Sequence, residues 1–507
     1  MIFRRLSQVC CFLVFTLALI IAAFPQAIWA TPFNQDLELK QSLHSFGTPP
    51  KNSSLIAESL LPGPENRRLL FVVRHKDKGM QAVIDGEKDP EYDAIGKNSQ
   101  RFSPNGKYYS YLAKEGEKAF MVMNGQEGKK YDGVVKPMFT PDNSKILYVA
   151  QQGDEQFVVV NGKEGTHYQG VAVKVSPIIS PDSEHITYVA QKSEEESVLV
   201  VDGEERYSAP LILQPVFSPD SKHLAYPATI DEKWYLVKDG KKGNKGYKKI
   251  KKPTFSPDSE HLAYIAQISK QQYCIVVDGK EHPKHRIVGG PVFSPDSEHL
   301  AYTGYDGEKF YMVKDKKKGP KFDKVGAYMF SPDSSQFVYM GVKDNSTTLV
   351  KNGEPGKYYG SMGQPVFSPD SEHLAFRARE GKEWFIVKNG EKGKSYDGVK
   401  KPKFSSDSKH MAYKAVKGEK WFLVVDGHEY GPYGWIGTVN FSPNSKNIAY
   451  VAALKGKSFI AVNGQKSEKK FDGFLKGVPL QWDGNDTVRG LALRLPEPEF
   501  FRVKVEF

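Results

Sequence analysis

The sequence predicts an all-β protein, a β-propeller of about twelve four-stranded repeats. Three observations lead there. A Phe-Ser-Pro-Asp turn recurs at a near-constant interval, an Asp/Asn-Gly pair recurs in step with it, and each interval holds apolar runs of strand length without helical periodicity. The Phe that opens the turn stands at Phe102, Phe139, Phe217, Phe255, Phe293, Phe330, Phe367, Phe404 and Phe441, with Ile179 in the remaining place, at spacings of 37 to 40 residues. The second beat falls at Asp85, Asn124, Asn161, Asp202, Asp239, Asp278, Asn352, Asn389, Asp426 and Asn463, while Asp315-Lys316 keeps the phase without its Gly. Weaker units from Pro64 to Val73 and from Leu480 to Leu495 bring the count to twelve.

Each repeat spells four strands. Gln214-Pro215-Val216-Phe217 ends at Ser218-Pro219-Asp220-Ser221, where Pro presets φ and the Asp and Ser side chains can bond nearby backbone N–H groups. A second strand such as His299-Leu300-Ala301-Tyr302 leads through a Gly/Glu/Lys turn to a third such as Trp421-Phe422-Leu423-Val424-Val425. Asp426-Gly427 then suits a type I′ hairpin, because both central positions require φ > 0. A fourth strand runs to Tyr131-Asp132-Gly133, Tyr396-Asp397-Gly398 or Phe471-Asp472-Gly473. Strands apolar on both sides need cover on both, as when four-stranded sheets stack around an axis. Pro recurs two residues before the Phe, at Pro137, Pro177, Pro215, Pro253, Pro291, Pro365 and Pro402. Proline cannot donate to a ladder and belongs on an edge strand, so the Pro-bearing strand is expected to face the central channel.

Twelve repeats divide most simply into two six-bladed propellers, residues 54–287 and 288–507, split near Arg286 to Gly290. One large ring, or two unequal ones, is the alternative. Residues 31–53 form an N-terminal segment. The last repeat stops after its third strand, Phe500 to Phe507, so a strand from elsewhere, such as from within residues 31–60, is needed to complete it.

The chain has 507 residues, 39% hydrophobic and 26% charged, which excludes general disorder. Residues 1–30 read as a signal peptide: Arg4 and Arg5, an apolar run from Val9 to Ala23, Pro25, and a cleavage point after Ala30. The run is short of the ~20 apolar residues of a membrane span. Cleavage removes two Arg and no acid, taking the formal charge from +11 to +9, and removes Cys10 and Cys11. Only Cys274 then remains, in an apolar strand, so no intrachain disulfide can form and the thiol reads as a small buried hydrophobe. The expected location is periplasmic or secreted, with no transmembrane span after signal removal.

The repeat core Phe-Ser-Pro-Asp-Ser-x-x-Leu-Ala-Tyr, over residues 54–507, resembles the WD-repeat-like units of TolB-type β-propellers. The resemblance implies an exported protein-binding platform, in some relatives beside a peptidase domain. TolB itself has an α/β domain before its propeller, for which residues 31–53 are too short, and twelve repeats exceed one six-bladed ring.

Catalytic motifs are missing. The sequence has no Gly-x-Ser-x-Gly, His-Glu-x-x-His, phosphate-binding Gly-Lys-Ser/Thr or dinucleotide fingerprint. Ser406-Asp407-Ser408-Lys409 is one copy of the repeated turn. His185, His223, His261, His299, His373 and His410 share one repeat phase, which spreads them over separate blades instead of gathering them on a metal. They read as solvated strand starts, and His282-Pro283-Lys284-His285 reads as a surface loop. One Asp per turn supplies no calcium cage. The Lys-rich hairpins, Lys241-Lys242 and Lys316-Lys317-Lys318, read as protected strand edges. The expectation is therefore a non-catalytic scaffold without metal or cofactor, with a channel-site enzyme such as a polysaccharide lyase or peptidase-related propeller as the alternative. Candidate ligand-binding residues precede the inner-strand Pro: Lys136, Gln214, Lys252, Gln364 and Lys401, with Ser176 in the same phase. They point to a protein or acidic polymer as partner, in the envelope or outside the cell, and not to nucleic acid.

Overall fold

A computed structural model describes residues 33, 37–76, 79–172 and 177–507, and at position 136 the backbone alone. The proposed signal peptide and Ser176 lie outside the described residues. Twelve antiparallel sheets follow one another along the chain, and eleven read in chain order from one edge to the other. The third blade is typical: Gly133–Phe139, Ile146–Gln152, Glu155–Val160 and Lys163–Glu164. The second strands bury the Tyr of Leu-Ala-Tyr, so that Tyr111, Tyr148, Tyr226, Tyr302, Tyr339 and Tyr450 are among the largest fully buried side chains. The third-to-fourth turns are left-handed at both central residues, as at Asn124 (φ 48°) and Gly125 (φ 75°). Lys316 (φ 66°) adopts the same conformation without being Gly.

The twelfth blade is built from both ends of the chain. Gly473–Phe474, Thr487–Arg494 and Glu499–Glu506 supply three strands, and Lys40–Ser45 pairs antiparallel to Glu499–Glu506 as the outermost. This is the missing strand that the sequence required.

The expected split into two six-bladed propellers is corrected to one ring of twelve. Ala263, Ile265 and Ile275 of the sixth blade pack on Leu300, Tyr302 and Tyr311 of the seventh, so the step at 287/288 is an ordinary blade contact. The ring closes where Leu491 and Phe500 of the twelfth blade meet Leu69, Phe71 and Val83 of the first around the buried Phe46. The Phe71 and Phe500 ring centroids are 5.1 Å apart there.

The repeated turn also links the blades. From the fourth blade to the tenth, the Ser hydroxyl donates to the Asp carboxylate two residues on, and the Asp N–H donates to a Ser hydroxyl of the next blade. Asp182 to Ser221, Asp220 to Ser259, Asp258 to Ser297 and Asp296 to Ser334 are all 3.0 Å. The chain of bonds crosses the sixth–seventh step unchanged. The hydroxyl of Ser331, then that of Ser335, holds the Asp333 carboxyl at about 2, below the usual range.

Candidate functional site

Radial sheets converge at one edge and splay at the other. First strands of neighbouring blades touch: the Tyr328 hydroxyl donates to the Gly290 carbonyl (3.1 Å), Lys403 Nζ to Asn440 Oδ1 (2.6 Å) and Asn440 Nδ2 to the Leu480 carbonyl (2.6 Å). At the other edge, neighbours are joined through ion pairs of long side chains, such as Lys129–Glu164 and Lys245–Glu281, both 2.7 Å. The Pro-bearing first strands therefore line the hub.

Proline breaks the hub ladder because it has no N–H to give. Pairing shifts register between Val135 and Met138 and between Lys251 and Thr254, around Pro137 and Pro253. In the ninth and tenth blades the first strand divides, into Ser361–Met362 and Val366–Phe367, and into Gly398–Val399 and Lys403–Phe404. The residue before Pro sits in this break, freed from pairing, and Lys252 is left-handed there (φ 51°). Gln214, Lys252, Gln364 and Lys401 are all exposed at the hub, and the Lys136 backbone occupies the equivalent place. Lys401 Nζ and Gln364 Oε1, from adjacent blades, are 3.4 Å apart. The remaining candidates stand on separate blades of the same ring.

A simpler pattern surrounds these residues. From residue 94 to 102 in the second blade to residue 434 to 441 in the eleventh, the ten hub strands contain no Asp or Glu. The sixth carries Lys249, Lys251 and Lys252, and the tenth Lys400, Lys401 and Lys403, none with a carboxylate partner among the described residues. Desolvation lowers the pKa of Lys403, and desolvation followed by the Lys400 charge lowers that of Lys414, which donates to the Gly437 carbonyl (2.8 Å). Val135, Leu211, Ile287, Val292 and Trp435 are exposed apolar residues of the same first-strand segments. The single-phase reading captured one Lys per blade and missed these companions. Aligning whole first strands and counting acids would have found them.

The histidines have structural partners. Nδ1 of His185, His223, His261, His299 and His410 lies 2.7–2.8 Å from the hairpin Asp of its own blade, and His373 pairs with Asn389 at 2.9 Å. The other Asp oxygen accepts the first N–H of the second strand, as at Leu262 to Asp278 (2.9 Å). Exposed acids approach two of these rings, in Asp296-Glu298-His299 and Asp370-Glu372-His373, but Asp296 and Asp370 cap their own turns.

The expected surface loop at His282 to His285 is corrected. His285 is 4% exposed, with Nδ1 2.7 Å from the Tyr311 hydroxyl. It stands at the repeat position of Tyr131, Tyr247 and Tyr396, which explains its burial. Burial, then the charge of Lys318, pushes its pKa down to about 4. Cys274 is fully buried, and burial pushes its thiol up to about 11, against a nucleophilic role.

No family model matches the chain, and no curated protein matches it. Among solved structures, a eukaryotic initiation factor is 15% identical, with a TM-score of 0.34 over 61% of this chain and 88% of its own. The β-propeller domain of the Trilobed protease from Pyrococcus furiosus, which has an open velcro topology, is 15% identical, with a TM-score of 0.25 over 50% and 94%. TolB from Acinetobacter baumannii is 14% identical, with a TM-score of 0.23 over 51% and 79%. Among the described residues, no helix is long and apolar enough to cross a membrane.

Proposed function

We propose that this protein is an exported, non-catalytic propeller scaffold whose hub binds an acidic partner, a protein or an anionic polymer, in the periplasm or outside the cell. One observation carries the reading: ten consecutive hub strands hold no Asp or Glu, while the sixth and the tenth each present three lysines. A concave wall of one charge sign raises the local concentration of ligands of the opposite sign. The non-catalytic part rests on the histidines and the Ser-Pro-Asp acids, each of which already has a turn-closing or strand-tying partner. The TolB-type repeat and the Arg4–Ala30 leader support export.

Two measurements test this. Sequencing of the mature N-terminus should return Thr31-Pro32-Phe33, and an intact Met1 on membrane-bound protein would overturn export. An exposed ion pair contributes only ~0.2–1 kcal/mol, so the hub charges must be changed together. Lys136→Glu, Lys252→Glu and Lys401→Glu combined should weaken binding to poly-glutamate, or to a partner captured from the envelope fraction, and flatten its salt dependence. The melting temperature should hold, because Lys252 and Lys401 are exposed and residue 136 stands at the same repeat position. Unchanged affinity at both low and high salt would dismiss the hub as the binding wall.

A further inference from the structure

The chain fills one of its own inter-blade grooves with an aromatic ring. Phe33 is 5% exposed and packs between the tenth and eleventh blades, its ring centroid 4.8 Å from that of His410 and 6.2 Å from that of Phe441. Leu423, Tyr430, Ile448 and Tyr450 complete the enclosure.

The same groove recurs elsewhere and is open. Between the second and third blades a cavity of 430 Å³ is lined by Tyr108, Met121, Gly128, Phe139, Ile146 and Tyr148. In repeat phase these are the counterparts of His410, Leu423, Tyr430, Phe441, Ile448 and Tyr450. Matching cavities of 520, 360 and 480 Å³ lie between the third and fourth, seventh and eighth, and eighth and ninth blades. In all four, Gly takes the place of Tyr430, as Gly128, Gly165, Gly319 and Gly356. None of the four grooves has a phenol at this place in its wall.

We propose that these four grooves dock extended polypeptide segments of a partner, each inserting one Phe as Phe33 does. The walls fit the occupant: aliphatic and aromatic side chains bury a ring, and a wholly polar chain would gain little from them. Lysines at the lips are already matched by acids of the next blade, Lys129 by Glu164 and Lys357 by Glu380, so the aromatic ring and not charge selects the occupant. A second copy is the weaker occupant, since each copy uses its own Phe33. Several equivalent grooves on one ring would let a partner with repeated Phe segments bind by avidity, each contact being weak. This deepens the scaffold reading and does not depend on the hub.

The probe is a labelled hexapeptide of residues 31–36, Thr-Pro-Phe-Asn-Gln-Asp, titrated onto the full chain beside the same peptide with Ala for Phe. The Phe peptide should bind several times per chain, and the Ala peptide at least tenfold more weakly. Ile146→Lys with Leu374→Lys places a charge in the apolar wall of two grooves and should remove two binding events. Phe33→Ala should add one by opening the groove between the tenth and eleventh blades. The hub triple variant should bind the Phe peptide as before, so failure of the hub reading and failure of this one are distinguishable. Equal binding of the two peptides, or a stoichiometry unmoved by Phe33→Ala, would overturn the proposal even if the Lys variants do not fold.

Discussion

A chain lacking residues 31–46 should lose the closed ring. The deletion takes away Lys40–Ser45, leaving Glu499–Glu506 as an unpaired edge of eight residues. It also takes away Phe46, fully buried between the first and twelfth blades, and Phe33, buried between the tenth and eleventh. Loss of a buried Phe side chain alone costs roughly 3–5 kcal/mol, and a long bare edge recruits other chains. The expected outcome is a lower melting temperature, broader unfolding and oligomers by light scattering. Phe46→Ala should reproduce much of the destabilisation while keeping the strand and the monomer. A truncated chain that unfolds as cooperatively, and at the same temperature, as the full one would mean that the ring does not depend on this closure.

Acid should destabilise the protein through His285. Its folded-state pKa, about 4, lies below the ordinary 6.5, so between these values the unfolded chain takes up a proton that the folded chain refuses. Stability is then highest above pH 6.5 and falls as the pH drops toward 4, by about 2 kcal/mol at pH 5. Desolvation lowers the pKa of His282 as well, which adds in the same direction. His285→Phe should flatten this slope in denaturant melts between pH 7 and pH 5. The substitution has a precedent in the next repeat, where Phe322 lies against Gly341 as His285 lies against Gly304. A slope unchanged by His285→Phe would place the acid sensitivity elsewhere.

Much of the candidate site could be read from single residues. Pro253 implied an edge strand facing the channel, and the structure adds a break in its ladder that exposes Lys252. The same logic located Gln214, Gln364 and Lys401. The reading failed where the repeat position, and not the residue type, decided the environment. His285 looks like a loop histidine in isolation, yet it occupies the position of a buried tyrosine and is buried with it. The six phased histidines were rightly spread over separate blades, but their Asp and Asn partners lie 16 or 17 residues away across a hairpin, beyond what strand-start logic considers.

By itself, the sequence determined the blade. Two turn motifs in step, a Pro on the first strand and an apolar third strand leave one way to lay four strands side by side, because turn geometry and strand alternation are local. It also determined that the last blade lacked a strand. Only the tertiary structure decided that twelve blades share one ring. Six blades per ring need about 60° between neighbours and twelve need about 30°, and that angle comes from how side chains interleave between adjacent sheets, a sum of small rotations over every contact. A repeat looks much the same at either angle. The place of Phe33 was decided in the same way. Its contacts with His410 and Phe441 come from residues more than 370 positions away, and no local pattern records that Phe33 would fill a groove the ring repeats elsewhere.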